Sequence, residues 1–81
     1  MTAAEFNVLD FHEQVLYVLD ANYIADRIES QSQVYLYHVN DFFVEIWCHL
    51  LQDEIIRFCA FRDSRFLEPY LEKVSIVDVG R

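Results

Sequence analysis

The stretch VYLYHVNDFFVEIWC, residues 34–48, decides the fold of this chain. It consists of two mainly apolar and aromatic runs with the polar pair Asn40–Asp41 between them. Two residues are enough for the tight turn of a hairpin. Two such runs joined by two residues predict an antiparallel hairpin. The polar clusters SQS and QD bound further runs of the same character. The sequence therefore predicts a meander of four strands, at residues 23–29, 33–39, 42–51 and 54–62.

Helix signals precede the predicted sheet. Thr2 with Glu5, and Asp10 with Glu13, each place an N-cap residue three positions before an acidic one. Apolar residues follow the second signal at three- and four-residue steps, at Phe11, Val15, Leu16 and Leu19. This spacing predicts one buried stripe on a helix that ends near Asn22.

Another helix is predicted after the last strand. Asp63 and Ser64 can begin it, and Pro69 fits only in or before its first turn. Its apolar stripe comprises Phe66, Leu67, Tyr70, Leu71 and Val74. The predicted fold class is α+β in two layers, with an N-terminal helix, a four-stranded antiparallel meander and a short C-terminal helix. Residues 1–81 are expected to form a single domain.

Side chains of the predicted strands divide between two faces of the sheet. With turns at Asn40–Asp41 and Gln52–Asp53, the more apolar face is expected to lie under the helices. The opposite face, here called the Glu45 face, is predicted to carry Val34, Leu36, His38, Phe43, Glu45, Trp47, His49, Ile56, Phe58, Ala60 and Arg62. Soluble monomers rarely expose so large an apolar patch, so a partner should cover it.

A second copy of the chain is the simplest partner for the Glu45 face, because a twofold dimer needs only one self-complementary patch. The expected interface residues are His38, Phe43, Glu45, Trp47, Phe58 and Arg62. Glu45 would lie diagonal to His38 and share its face with Arg62, so a hydrogen-bonded or ionic set could orient the dimer.

Candidate chemistry on these strands is weak. His38, Glu45 and His49 share a predicted face, but the two imidazoles lie too far apart to bind one metal ion. Cys48 and His49 are adjacent in one strand and point to opposite faces, so they cannot form a nucleophile and base. Cys48 and Cys59 share the other predicted face as reduced thiols. No catalytic residue, metal site or cofactor is predicted.

The composition excludes further classes of function. One glycine and one proline in 81 residues provide no Gly-rich loop for a nucleotide phosphate. Fourteen acidic and six basic residues give a formal charge of −8, which repels nucleic acid and anionic membranes. The N-terminus lacks both a basic start and an uninterrupted apolar run, so neither a signal peptide nor a membrane span is expected. The predicted location is the cytoplasm.

Three functional hypotheses follow from these features. The first is a non-enzymatic interaction module that self-associates through the Glu45 face. The second is a small-ligand site lined by Trp47, Phe43, His38 and Arg62, in which Glu45 fixes the orientation of the ligand. The third is an acidic inhibitor or immunity-type protein that binds a basic protein partner.

Two segments, FFVEIW at residues 42–47 and FRDSRFLEPYLEKV at residues 61–74, resemble short bacterial proteins with no assigned function. The resemblance extends from the DFHEQVLYVL helix to the last EKV. It implies a compact α+β domain and carries over no active-site residue.

Overall fold

The computed structural model describes residues 1–71, which form two short helices, a four-stranded sheet and a C-terminal helical segment. The helices are α1 (Ala3–Asn7) and α2 (Phe11–Val18), and the strands are β1 (Asn22–Glu29), β2 (Ser32–Val39), β3 (Phe42–His49) and β4 (Ile55–Phe61). A 3₁₀ turn at Ser64–Leu67 leads into helical residues 68–71. Below, residues 63–71 are called the C-terminal segment. The strands are antiparallel in the order β1-β2-β3-β4, which confirms the predicted α+β class and its meander.

Both predicted helix starts are used, so the N-terminal part contains two helices. Thr2 and Glu5 form a reciprocal capping box at α1, with the Glu5 N–H donating to Thr2 Oγ1 at 3.1 Å. Asp10 caps α2 by accepting the Glu13 N–H at 2.9 Å. Each cap satisfies backbone donors that the first helical turn leaves unpaired. The second helix ends at Val18, earlier than predicted, and the next strand already begins at Asn22.

The predicted apolar stripe of α2 is largely wrong. Its buried residues are Gln14 and Val18, with Val15 partly buried against the core. Gln14 is accommodated because its Nε2 donates to the Phe6 carbonyl at 3.0 Å, which satisfies the buried amide and joins α2 to α1. The remaining predicted members, Phe11, Leu16 and Leu19, are exposed.

One face of the sheet, here called the helix face, lies under α1 and α2. Its buried residues from the sheet are Val39, Phe42, Val44, Ile46, Phe58 and Ala60. Phe6 of α1 is completely buried at the centre of this core, with its ring 5.9 Å from that of Phe42 and 6.2 Å from that of Phe58. Those centroid separations lie in the favourable range for aromatic pairs.

The predicted register of the β2–β3 hairpin is confirmed, but that of the β3–β4 hairpin is wrong by one residue. Val39 pairs with Phe42 across the Asn40–Asp41 turn, as expected. Trp47, however, pairs with Arg57 rather than with Phe58. A slip of one residue exchanges the two faces of a strand. Phe58 and Ala60 therefore belong to the helix face, whereas Arg57, Cys59 and Phe61 belong to the Glu45 face.

The loop between β3 and β4 gives the physical reason for this slip. β3 ends at His49 and β4 begins at Ile55, so five residues connect the strands instead of two. His49 Nδ1 accepts the N–H groups of Leu51 and Gln52, each at 3.3 Å, and Asp53 adopts a left-handed φ of 56°. A side chain thus stabilises a loop whose sequence contains no glycine.

The C-terminal segment packs on the Glu45 face, which was predicted to be open within the chain. Tyr70 and Leu67 contact a second core cluster that includes Leu36, Phe61 and Phe43. Val34 and Leu36 are completely or almost completely buried. The predicted apolar stripe is thus partly confirmed, since Leu67 and Tyr70 point inward. Phe66 and Leu71 are exposed, and Val74 lies outside the described residues.

The outer edge of β4 is partly closed by a side chain of α1. Asn7 Nδ2 donates to the Ala60 carbonyl at 2.9 Å, and Asn7 Oδ1 accepts the Ala60 N–H at 2.8 Å. The amide therefore pairs with the strand as a neighbouring backbone would. Open strand edges are templates for aggregation, and a paired edge no longer offers these groups.

Candidate functional site

Glu45 is buried in a hydrogen-bonded cluster on the Glu45 face. It is 7% exposed, and its Oε2 accepts the Tyr70 hydroxyl at 2.7 Å and Arg27 Nη2 at 3.3 Å. The other carboxylate oxygen accepts the Trp47 indole N–H at 3.2 Å. Both carboxylate oxygens therefore have partners within the chain, as a buried carboxylate requires.

Arg27 lies between two aromatic rings in this cluster. Its guanidinium carbon is 5.3 Å from the Trp47 ring centroid and 5.2 Å from that of Tyr70. The same guanidinium pairs with Glu29 nearer the surface. Burial raises the pKa of Tyr70, and the hydrogen bond to Glu45 raises it further. These contacts give Glu45 a structural role, because they attach the C-terminal segment to the sheet.

The other residues predicted to surround Glu45 are distributed differently. His38 is half-buried and packs against Phe43 in a tilted arrangement, with ring centroids 5.1 Å apart. Phe58 lies on the helix face as part of the core. Arg62 lies beyond β4 and approaches Asp41 at 3.9 Å with an exposed side chain. Of the residues predicted to surround Glu45, all of which the structure describes, only Trp47 donates a hydrogen bond to its carboxylate.

Sequence reasoning missed Arg27 as the cationic partner of Glu45. In the structure Arg27 pairs with Val34 in β1–β2, and Val34 pairs with Trp47 in β2–β3. These three residues therefore share the Glu45 face. The signal available in the sequence was that Arg27 is the one basic residue of the predicted strand 23–29. A bulge between Tyr23 and Ala25 shifts the alternation of β1 and hides that signal.

The cysteines also depart from expectation. Cys59 pairs with Glu45 in the sheet and lies on the Glu45 face, whereas Cys48 packs against the core of the helix face. The predicted shared face is therefore wrong, because the register of β4 differs. Burial raises the pKa of both thiols, which lowers their reactivity. Across residues 1–71, no three His, Cys, Asp or Glu side chains are grouped to hold a metal ion.

The helix face contains an apolar groove of about 290 Å³ beside α2. Its lining residues are Val15, Val18, Leu19, Ala21, Tyr37, Ile46, Ile55 and Phe58. Leu19 is 72% exposed and Ile55 is 40% exposed, so the groove is open to solvent along apolar side chains. No sequence signal pointed to it, since Leu19 was predicted to be buried.

The short length of α2 limits how much of the sheet it covers beside this groove. A strand of eight residues, such as β2, spans about 26 Å at ~3.3 Å per residue. A helix of eight residues, such as α2, spans only about 12 Å at ~1.5 Å per residue. The helix therefore covers less than half the length of the strand beneath it, even when it runs along that strand.

A second cavity, of about 840 Å³, lies on α2 beside the end of β2. Its lining includes the carboxylates of Glu13 and Asp20 together with Tyr17, His38 and Asn40. Ala21 lines both cavities. This second cavity is therefore an acidic cleft, and like the apolar groove it borders α2.

Comparison with protein-family models, with curated proteins and with solved structures gave no match. Within the part of the chain that the structure describes, no helix is long and apolar enough to cross a membrane.

Proposed function

We propose that this protein is a non-enzymatic, cytoplasmic interaction module that binds an apolar segment of another protein in the groove of the helix face. The observation that carries this proposal is the groove itself, which is lined mainly by apolar side chains and bordered by the exposed Leu19 and Ile55. Exposed apolar grooves of this kind commonly receive an amphipathic segment of a partner.

Charge favours a foreign protein over a second copy as the occupant of the groove. The chain has a formal charge of −8, so two copies repel each other at long range. Asp20 follows Leu19, and Glu54 precedes Ile55, so acidic residues flank two of the exposed groove residues along the chain. Two such grooves placed face to face would bring like charges together, which costs free energy.

The chemistry around Glu45 supports a structural rather than a catalytic role. A general acid or base must exchange its proton with a bound substrate. Glu45 instead contacts Arg27, Trp47 and Tyr70 within the chain. The proposal therefore assigns no reaction to this cluster.

Site-specific cross-linking in the cells that produce the protein tests the proposal. A photoreactive amino acid replaces Leu19 in the groove or, as the matched control, Phe66, an exposed residue of the C-terminal segment. We expect one discrete adduct with another protein from position 19 and none from position 66. The second substitution Ile55→Glu should abolish that adduct. Equal adducts from both positions, or none from position 19, would contradict the proposal.

Self-association through the Glu45 face is a second candidate. The observation in its favour is the stacking of the exposed Arg57 on Trp47, with the guanidinium 4.3 Å from the ring centroid. Tryptophan and arginine are enriched at protein interfaces. The solution mass of the protein distinguishes this candidate from the first.

A further inference from the structure

We infer that the segment which occupies the groove is basic as well as apolar, an amphipathic helix with lysine or arginine beside its apolar face. This inference rests on the proposed function, because it specifies the chemistry of the partner at the same groove. It is carried by the way in which charge is distributed over the two faces of the sheet.

Among residues 1–71, no arginine lines the groove. Arg27 and Arg57 lie on the Glu45 face, where both contact the Trp47 ring. Arg62 follows β4 and approaches Asp41, and Arg65 pairs with Asp63 in the C-terminal segment. Within the described chain, no lysine or arginine precedes Arg27. Both helices and the loop between them therefore contain no lysine or arginine.

Acidic groups, in contrast, lie in the cleft next to the groove and on the same face of the sheet. Glu13 and Asp20 line the cleft next to it on α2. Asp26 pairs with Tyr35 in the sheet, which places it on the helix face.

The apolar floor and acidic surroundings together select the occupant. An apolar floor requires apolar anchors at helical spacing, as in other helix-in-groove complexes. Acidic surroundings attract cations and repel anions, which affects encounter rate and partner choice more than it affects final affinity. A helix is the expected form of the occupant because helices pack ~8–10 Å apart, and Leu19 and Ile55 stay exposed along the groove beside α2.

Two synthetic peptides test this inference with the full-length protein. One is an amphipathic helix with leucine on one face and lysine on the other, and its counterpart carries glutamate in place of lysine. We expect the lysine peptide to bind about tenfold more tightly than the glutamate peptide at ~0.1 M salt. The difference should shrink at ~1 M salt, where the Debye length falls from ~10 Å to ~3 Å.

Matched variants show where the lysine peptide binds and separate the apolar contribution to its binding from the electrostatic one. Leu19→Gln removes an exposed apolar side chain without changing charge and should abolish binding of the lysine peptide. Asp20→Asn should weaken that binding roughly two- to fivefold, as expected for one exposed ion pair. Glu68→Gln removes the same charge from the C-terminal segment and should weaken it less.

The possible results separate failure of this inference from failure of the proposed function. If both peptides bind equally and Leu19→Gln abolishes both, the groove binds apolar segments but the basic partner is wrong. If the lysine peptide binds Leu19→Gln as well as the original chain, it binds elsewhere, and the groove assignment fails too. If neither peptide binds, the inference is overturned, and the cross-linking experiment alone decides the proposed function.

Discussion

At the scale of single residues, Glu45 shows how a carboxylate can lie within an aromatic strand. Removing a carboxylate from water is costly unless hydrogen bonds and an opposite charge replace the lost hydration. Arg27 supplies the charge, and Tyr70 and Trp47 supply further donors. The sequence predicted that Glu45 needs partners but not which residues they are, because two of them come from β1 and from the C-terminal segment.

Replacing Glu45 should destabilise the protein strongly. Glu45→Gln leaves Arg27 buried with its charge uncompensated on that side, and we expect a loss of about 3 kcal/mol. Glu29→Gln is the matched control, since Glu29 pairs with the same guanidinium from a half-exposed position, and it should cost under ~1 kcal/mol. Urea denaturation measures both free energies of unfolding. Equal losses would show that the buried contact contributes no more than the surface one.

The pH dependence of stability should report on Tyr70. Burial raises the pKa of Tyr70 above the ~10 of free tyrosine, so the folded chain keeps a proton that the unfolded chain releases. Its contribution to the free energy of unfolding is therefore complete below about pH 10 and falls as the pH rises further.

Tyr70→Phe tests this assignment by urea denaturation at several alkaline pH values. The variant should lose stability less steeply above about pH 10 than the original chain. Tyr23 also has a raised pKa, of about 12, because it donates to Asp26, but both proteins retain it. Tyr17→Phe, at an exposed position of α2, serves as the control. An unchanged slope in Tyr70→Phe would refute the role of Tyr70.

At the scale of secondary structure, short helices and strand edges define the behaviour of the protein. α1 has only five residues, too few for a helix to be stable alone. It is held by its capping box, by burial of Phe6 and by the pairing of Asn7 with Ala60. The same amide blocks part of the β4 edge, so one residue contributes both to the fold and to protection against aggregation.

Changes at Asn7 should therefore affect both stability and aggregation. Asn7→Ala leaves the Ala60 N–H and carbonyl without this partner, and we expect a loss of about 1–3 kcal/mol. Asn7→Asp keeps an acceptor for the Ala60 N–H but places a carboxylate oxygen against the Ala60 carbonyl oxygen, so it should also be destabilised. Urea denaturation and light scattering after prolonged incubation provide the two measurements. A fully stable, non-aggregating Asn7→Ala variant would contradict this role.

At the scale of the whole molecule, the two faces of the sheet differ in charge and in cover. Arg27 and Arg57 lie on the Glu45 face, which the C-terminal segment partly covers. The helix face has neither lysine nor arginine in its helices and retains an open groove. This difference is the basis for proposing a basic partner at the groove rather than a second copy of the chain.

Solution mass, measured by light scattering over a dilution series, compares the two candidate interactions. We expect a monomer at every concentration, because a formal charge of −8 opposes self-association. A stable dimer that is lost in Trp47→Glu would instead support self-association through the Glu45 face. A dimer that is lost in Leu19→Gln but persists in Trp47→Glu would mean that a second copy occupies the groove.

The sequence by itself determined the helix starts, the four strands, the meander and the β2–β3 register. Each of these depends on short-range features, such as the caps at Thr2 and Asp10 and the turn at Asn40–Asp41. Tertiary structure alone decided the faces of β4, the partners of Glu45 and the open groove. The five-residue loop held by His49 is local, but it departs from the two-residue turn on which the register of β4 was predicted. The bulge in β1 and the docking of Tyr70 depend on contacts between distant parts of the chain. Local periodicity carries no information about such contacts.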